Sequence, residues 1–554
     1  MTASYNLSLL GSNYNQGGTG AVARTTASKL QESVSVKDFG AVGDGTTDDT
    51  AAIQTAVTAA AALGASTYFP VGTYIVRNIL VPANSVLFGD KSATLTLKVL
   101  AVGDWSPIIT LQGNNIKFKG LMFNGQKASQ PYTVGDFADN WTGRSRRAAI
   151  VGDVLSPTVA LSGLSVMDCE FYGVFGASIA TRDLSNVDVS YTYFHDNNFE
   201  GCFLYQQSSA PVTHANASIT NCTFKNIQSN DSIVNADCII ATGYNGVLVA
   251  NNYANNYERL LLKTEGSSNV KFIGNTCINA TLYGGYGAQN GGSNFVIANN
   301  IIQNVGRVGI GFSGSLTFTN VVITGNVVDT TGTDATATAP DGIQITLCVD
   351  AEISNNKLSS VHRNGIYLAP VVNGVYSINN NSVALDNLGA YTCINIGTSV
   401  AITTLLIIGN TLYQTSATSS GTITISGDGT IPVIKSLIIS NNLVYGSVGR
   451  AMFTYQITGA GAISNNVSPD GYFEIYNSGT GNLTSTGNIT PRVIGMSGVN
   501  ARLLPTADAA PVAGTYYVGD TVYRLTPAAS GTMGWVCTTG GTPGTWKTFG
   551  AISA

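Results

Sequence analysis

Apolar and polar residues alternate in short runs along most of this chain, and the runs return in a fixed order. Between residues 219 and 490 the phrase Val249-Ala-Asn-Asn252 comes back as Ile273-Gly-Asn275, Ile297-Ala-Asn-Asn300, Thr324-Gly-Asn326, Ile353-Ser-Asn-Asn356 and Ile378-Asn-Asn-Asn381. It continues as Ile408-Gly-Asn410, Ile439-Ser-Asn-Asn442, Ile463-Ser-Asn-Asn466 and Thr486-Gly-Asn488, the last Asn recurring every 22 to 32 residues. Each repeat holds a second apolar segment, such as Gly309-Ile-Gly-Phe312, Gly342-Ile-Gln-Ile345 or Gly365-Ile-Tyr-Leu368. A period of this size marks a solenoid, and Val/Ile runs of four or five residues without helical spacing make it an all-β one. The pattern predicts such a β-solenoid from about Tyr68 to Thr490.

The Asn has a physical task. Each coil turns sharply between strands, and Asn tolerates the left-handed region better than any residue but Gly. Identical Asn side chains stacked one coil apart, about 4.8 Å, also hydrogen-bond along the stack. Upstream the same slot holds Cys222, Thr192 and Cys169. This ladder reads as structural.

Ahead of the repeats, residues 1–32 are polar and lack an apolar period, as expected of an extended leader or attachment segment. Residues 33–80 hold a helix from Thr50 to Leu63 with Ile53, Ala56, Val57 and Ala60 on one face, followed by the first coils. Asp48 or Asp49 stands where an N-cap belongs, and Asp44 completes an acidic cluster better explained by capping than by metal binding. Such a helix closes the open end of a solenoid. Residues 81–490 then form the β-helix, interrupted at 125–158 by an insertion with Trp141, Arg144, Arg146 and Arg147. That insertion reads equally as a binding loop or as a solvated or inter-subunit contact. Residues 491–554 read as a small β domain whose aromatics (Tyr516, Tyr517, Tyr523, Trp535, Trp546) favour packing over sugar stacking.

Composition narrows the classes. A chain of 554 residues with 63 Gly and 10% charged residues suits an elongated, turn-rich repeat. A net charge of −5 argues against general nucleic-acid binding. No membrane span and no signal peptide are expected. The eight Cys read as small apolar filling in a protein made in a reducing compartment. With 3 His and no ligand spacing, neither a zinc site nor another cofactor is expected.

The phrase VSVKDFGAVGDGTTDDTAAIQTAV…YFPVGTYIV, residues 34–76, resembles the start of pectate-lyase-superfamily right-handed β-helices. With the preceding YNQGGTGAVARTTASKLQE it is similar to bacteriophage tailspikes. The resemblance implies a homotrimer, attached to the phage tail or baseplate adaptor through its N-terminus. Such a spike is made in the host cytoplasm and acts outside it, binding and usually cutting a bacterial surface polysaccharide.

Hydrolysis of a glycosidic bond needs one carboxylic acid to protonate the leaving oxygen and a carboxylate to activate water. Aligning the strand after each turn sets Glu200-Gly-Cys-Phe-Leu-Tyr205, Ala236-Asp-Cys-Ile-Ile-Ala241 and Glu258-Arg-Leu-Leu-Leu-Lys263 on consecutive coils. Glu200, Asp237 and Glu258 therefore fall in the same or adjacent slots, with Glu200 and Glu258 about 9.6 Å apart by coil spacing. Asp237, flanked by two acids, is the expected proton donor; Glu200, or failing it Glu258, is the expected base. Arg259 and Lys263 would bind the sugar, and Tyr205 or Tyr257 would stack on a ring. Asp341, with His362 and Arg363, is an alternative site, while Asp350 and Glu352 fall in a solvated turn.

Asn198-Phe-Glu-Gly201, Ala236-Asp-Cys-Ile239 and Arg259-Leu-Leu-Leu-Lys-Thr264 resemble, in order, the Asn-Thr-Asp-Gly, Asp-Asp-Cys-Ile and Arg-Ile-Lys-Thr motifs of polygalacturonase-type glycoside hydrolases. The family's first paired Asp is Ala236 here, its Gly-His-Gly coil is missing, and the basic motif arrives one coil early. The resemblance implies endo-acting, inverting hydrolysis. A lyase using Arg259, Lys263 or Tyr257 against a uronate, and a non-cleaving adhesin, are the other classes.

Overall fold

The computed structural model describes residues 13–131, 145, 147–153, 161–206, 214–229, 236–338, 340–370, 373–385, 391–397, 401–414, 421–426, 434–446, 450–454, 460–475, 483–490, 493–494, 506–513, 516 and 518–554. The chain divides into two compact units, Met1–Gly292 and Ser293–Ala554.

In the first unit the repeating coil has three parallel strands. One coil is Cys202–Tyr205, His214–Thr220 and Thr223–Ile227; the next is Ile239–Thr242, Tyr244–Ala250 and Tyr253–Tyr257. Each strand pairs in parallel with its counterpart in the neighbouring coil, as in Cys202↔Ile239 and Ile239↔Leu262. This is a parallel β-helix. It begins earlier than Tyr68, because Ser33–Ser35 already pairs with Ser66–Tyr68. Inside, Phe123, Phe171, Phe194 and Phe224 form one stack with ring centroids 4.7, 5.1 and 4.9 Å apart.

The helix spans Thr50–Leu63 and buries Ile53, Ala56, Val57 and Ala60, the face expected from the sequence. Its acidic start works differently from a simple cap. Asp49 stands at the N-cap, yet its carboxylate accepts the backbone N–H groups of Val42 (2.7 Å) and Gly43 (3.0 Å). Asp48 accepts the N–H of Thr50 and pairs with Lys98 at 2.8 Å. Ahead of it, Asn13–Tyr14 pairs antiparallel with Arg24–Thr25, and a short helix runs from Thr26 to Leu30.

The recurring phrase divides its labour between two positions. The residue before the last Asn takes the left-handed backbone: Asn251, Asn299, Asn355, Asn380, Asn441 and Asn465 have φ of 54–57°, and Gly274, Gly325, Gly409 and Gly487 have φ of 65–69°. The last Asn, buried in every repeat from Asn252 to Asn466, builds the ladder. Its Oδ1 accepts from the backbone N–H and Nδ2 of the preceding coil's Asn, as Asn356 does for Asn326 at 3.0 and 2.9 Å. Its Nδ2 also donates to a main-chain carbonyl, Ile323 in the case of Asn356 (2.9 Å). In the second unit this ladder runs from Asn300 to Asn488. In the first, Cys222 joins it through the Oδ1 of Asn252.

All eight cysteines are buried free thiols. Cys238 stands opposite Gly201, because Cys202 pairs with Ile239. The C-terminal sheet comprises Thr506–Ala507, Thr521–Arg524, Thr532–Thr539 and Thr545–Ala551. There Arg524 lies over Trp535 (4.5 Å), Tyr516 meets Trp546 edge-on, and Trp546 donates to the Pro543 carbonyl, so these aromatics pack against their own domain. Tyr517 lies outside the described residues. Among the described residues no helix is long and apolar enough to cross a membrane.

Candidate functional site

The site lies on the first unit, at the corner where each coil enters its short strand. Gly201 occupies that corner because a Cβ there would lie 2.5 Å from the Phe224 ring. The residue just before it, Glu200, stands two positions ahead of Cys202, and Asp237 stands two ahead of Ile239. The strand register therefore sets Glu200 and Asp237 in one slot of adjacent coils, with Leu260 in that slot on the next. Backbone bonds lock the corner: Ser178 N–H to Glu200 O (2.8 Å), Gly201 N–H to Cys238 O (2.9 Å) and Cys238 N–H to Leu260 O (2.8 Å). Asn197, which sequence reasoning passed over, staples the corner from below. Its Nδ2 donates to Phe171 O and Ser178 Oγ, and its Oδ1 accepts from Val174 N–H.

Glu200 and Asp237 are both fully buried. Burying a carboxylate is costly unless a cation or donors meet it. Arg259 supplies the cation, its Nη1 3.6 Å from Asp237 Oδ2, too far for a hydrogen bond. The guanidinium also lies over the Tyr283 ring at 5.2 Å, a contact invisible in the motif because Tyr283 sits one coil further on.

Glu258 is displaced from the expected column, standing four residues ahead of Leu262 rather than two. It remains part of the cluster. Its Oε2 accepts the backbone N–H groups of Ser229 (2.9 Å) and Ala236 (2.8 Å), reaching back to the coil that carries Asp237. Burial pushes its pKa above the ordinary glutamate value, the two amides pull the other way, and the Asp237 charge adds to the rise while Arg259 opposes it. Beneath the site, burial holds the Cys238 thiol well above its usual range, with the Asp237 and Glu200 charges contributing.

The expected sugar-binding residues fare unequally. Lys263 is largely buried and paired with Glu265 at 2.5 Å. Tyr205 is half-buried beside Phe203, ring centroids 5.5 Å apart. Tyr257 is in the interior, its hydroxyl donating to Gly284 O at 3.1 Å, so its ring is closed to a sugar. It ends a strand on an inward position of the pleat, which a motif comparison does not register. Arg147 is likewise buried, over Trp105 (4.5 Å) and donating to Asp104 O and Pro131 O. Trp141, Arg144 and Arg146 lie outside the described residues. Among the described residues no three His, Cys, Asp or Glu side chains converge as a metal ion requires.

In the second unit, Asp341 forms a two-point ion pair with Arg363 and accepts the N–H (2.9 Å) and Nδ2 (3.1 Å) of Asn364. Asp350 accepts from Val375 N–H, and Glu352 is exposed on the strand Ala351–Ser354 rather than in a turn.

Residues 33–126 match the family model described as rhamnogalacturonase A/epimerase, pectate lyase-like. The chain is 57% identical over 49 residues to plasmin and fibronectin-binding protein A of Streptococcus pneumoniae, covering 8% of this chain and 7% of that protein. It is 55% identical over 53 residues to mannuronan C5-epimerase AlgE3 of Azotobacter vinelandii, covering 9% of this chain and 3% of that protein. The chain thus spans only a small part of the length of these relatives. Among solved structures, tailspike protein 3 of bacteriophage CBA120 aligns over 98% of this chain and 73% of that one, at 17% identity and a TM-score of 0.37. What this chain shares with characterised proteins is a pectate lyase-like segment at residues 33–126, set at the head of a parallel β-helix.

Proposed function

We propose that this protein is a tailspike-type depolymerase, an endo-acting glycoside hydrolase cleaving a bacterial surface polysaccharide as part of a phage tail. The observation that carries the reading is the placing of three carboxylates, Glu200, Asp237 and Glu258, on three successive coils, with Arg259 paired to Asp237 and its charge acting on Glu258. Glycosidic hydrolysis uses paired carboxyl groups in unlike environments, one kept protonated and one ionised. The N-terminal motif supports the tailspike assignment, with trimeric assembly and attachment through residues 1–32.

Glu258 stands two coils from Glu200, about 9.6 Å by coil spacing. Its carboxyl reaches back toward Ala236, which brings the pair toward the separation of roughly 6.5–9.5 Å that accommodates a water and inverts the anomeric centre. The lyase alternative loses support, since Tyr257 is interior and Lys263 is held by Glu265. The test is product analysis on capsular polysaccharides from strains whose lawns the protein clears. New reducing ends of inverted configuration, without near-ultraviolet absorbance from an unsaturated sugar, are expected. Unsaturated ends would make it a lyase, and halo-free lawns with intact polymer would make it an adhesin. Light scattering tests the trimer.

A further inference from the structure

We propose that Glu258, not Asp237, is the proton donor of this site, with Oε2 fixed by two backbone amides and Oε1 left to carry the proton to the glycosidic oxygen. The inference rests on the hydrolase reading above and deepens it.

A general acid needs a carboxyl group held in one orientation, kept protonated near neutrality, and reachable from solvent. Glu258 meets the first condition through Ser229 and Ala236, whose N–H groups both point at Oε2, at 2.9 and 2.8 Å. Two donors on one oxygen leave the other as the place for a proton. It meets the last because, unlike Glu200 and Asp237, its side chain is only partly buried. Burial and the neighbouring Asp237 charge favour its neutral form, while the two amides and Arg259 favour the charged one, and burial is the largest influence. Asp237 is a poorer donor, since Arg259 stands 3.6 Å from it and balances its negative charge.

In the resulting step Glu258 gives its proton to the leaving glycosidic oxygen as the C–O bond breaks. A water adds to the anomeric carbon and loses its proton to Glu200. Asp237, kept as the charged carboxylate by its ion pair with Arg259, stabilises positive charge developing on the ring. The proton count closes once product leaves, the one proton that Glu200 took from water balancing the one that Glu258 gave up.

Glu258→Gln separates this role from a merely structural one, because the amide oxygen still accepts from Ser229 and Ala236 while the proton is lost. The variant is expected to melt like wild type, to bind capsular polysaccharide from a cleared strain as well, and to release reducing ends at least about a hundredfold more slowly. It is also expected to lose the alkaline limb of the pH–rate profile. Infrared difference spectra taken across a pH titration should show a carboxyl band that is lost at higher pH than that of an ordinary glutamate in wild type and that Glu258→Gln lacks, a readout that needs no substrate. Glu258→Ala, which removes the acceptor too, should lose both rate and thermal stability. Cleavage by Glu258→Gln within threefold of wild type, or an unchanged carboxyl band, would overturn the assignment while leaving the hydrolase reading intact. Wild-type protein that leaves no new reducing ends on any cleared strain's polysaccharide would instead sink the hydrolase reading, and the catalytic role of Glu258 with it.

Discussion

Asp237 in the first unit and Asp341 in the second occupy the same position in their coils, two residues ahead of the short strand, and both are fully buried. The chain treats their charges in opposite ways. Asp341 has a two-point bond to Arg363 and two further donors from Asn364, so both oxygens are committed. Asp237 meets Arg259 at 3.6 Å and shares its surroundings with two other acids. A buried carboxylate with ideal partners stabilises a corner, whereas one with acidic neighbours keeps electrostatic free energy that chemistry can use. The slot alone decides neither outcome.

The sharpest way to break this comparison is Asp341→Ala, which leaves Arg363 half-buried and unpaired. A stability loss of about 3–5 kcal/mol is expected, read by denaturant melts, with cleavage unaffected wherever the protein stays folded. If the variant melted normally and lost activity, the two acids would have exchanged roles. Next in size is Asp237→Asn, which keeps shape and should leave the melting temperature nearly in place. By removing the charge that stabilises the ring it is expected to slow cleavage on the order of a hundredfold, measured as reducing ends.

Gly201→Ala sharpens the argument that the corner positions Glu200. The new methyl would meet the Phe224 ring at 2.5 Å, so a loss of about 1–3 kcal/mol is expected along with a rate loss, as Glu200 is pushed from register. Gly309→Ala meets Val328 at 2.6 Å and should cost similar stability without touching the rate.

The smallest effect belongs to the N-terminal cap. The hydrogen bond from Lys98, then that from the Thr50 hydroxyl, lowers the Asp48 pKa from 3.8 to about 2. The folded value lies below the unfolded one, so its stabilisation is complete above 3.8 and is lost as pH falls toward 2. Melting temperatures across this acidic window should fall less steeply in Asp48→Asn, and an equal slope would assign the acid sensitivity to other groups.

The sequence by itself determined whatever follows from neighbours along the chain. The alternation of short apolar runs with Asn turns specified a parallel β-helix, and the period of the helical segment picked out Ile53, Ala56, Val57 and Ala60 as its buried face. Alignment on the short strands put Glu200 and Asp237 on adjacent coils, but one residue out of register, since it set Cys202 against Cys238 where Cys202 pairs with Ile239. Even the two forms of the repeated phrase, Asn-Asn and Gly-Asn, were visible, although their division into a left-handed turn and a buried ladder was not.

Only the tertiary structure decided what depends on the coil above or below. Glu258 sits two residues out of the column because the connection before its strand sets its own length, which strand periodicity does not constrain. Its partners, Ser229 and Ala236, lie 29 and 22 residues earlier in the chain. Tyr257 turned inward because it ends a strand on the interior parity. The difference between Asp237 and Asp341 is likewise a matter of partner distance, 3.6 Å against direct hydrogen bonding. In a stacked repeat a side chain's chemistry is set by residues one coil away, and their approach is fixed by register and loop closure rather than by local sequence.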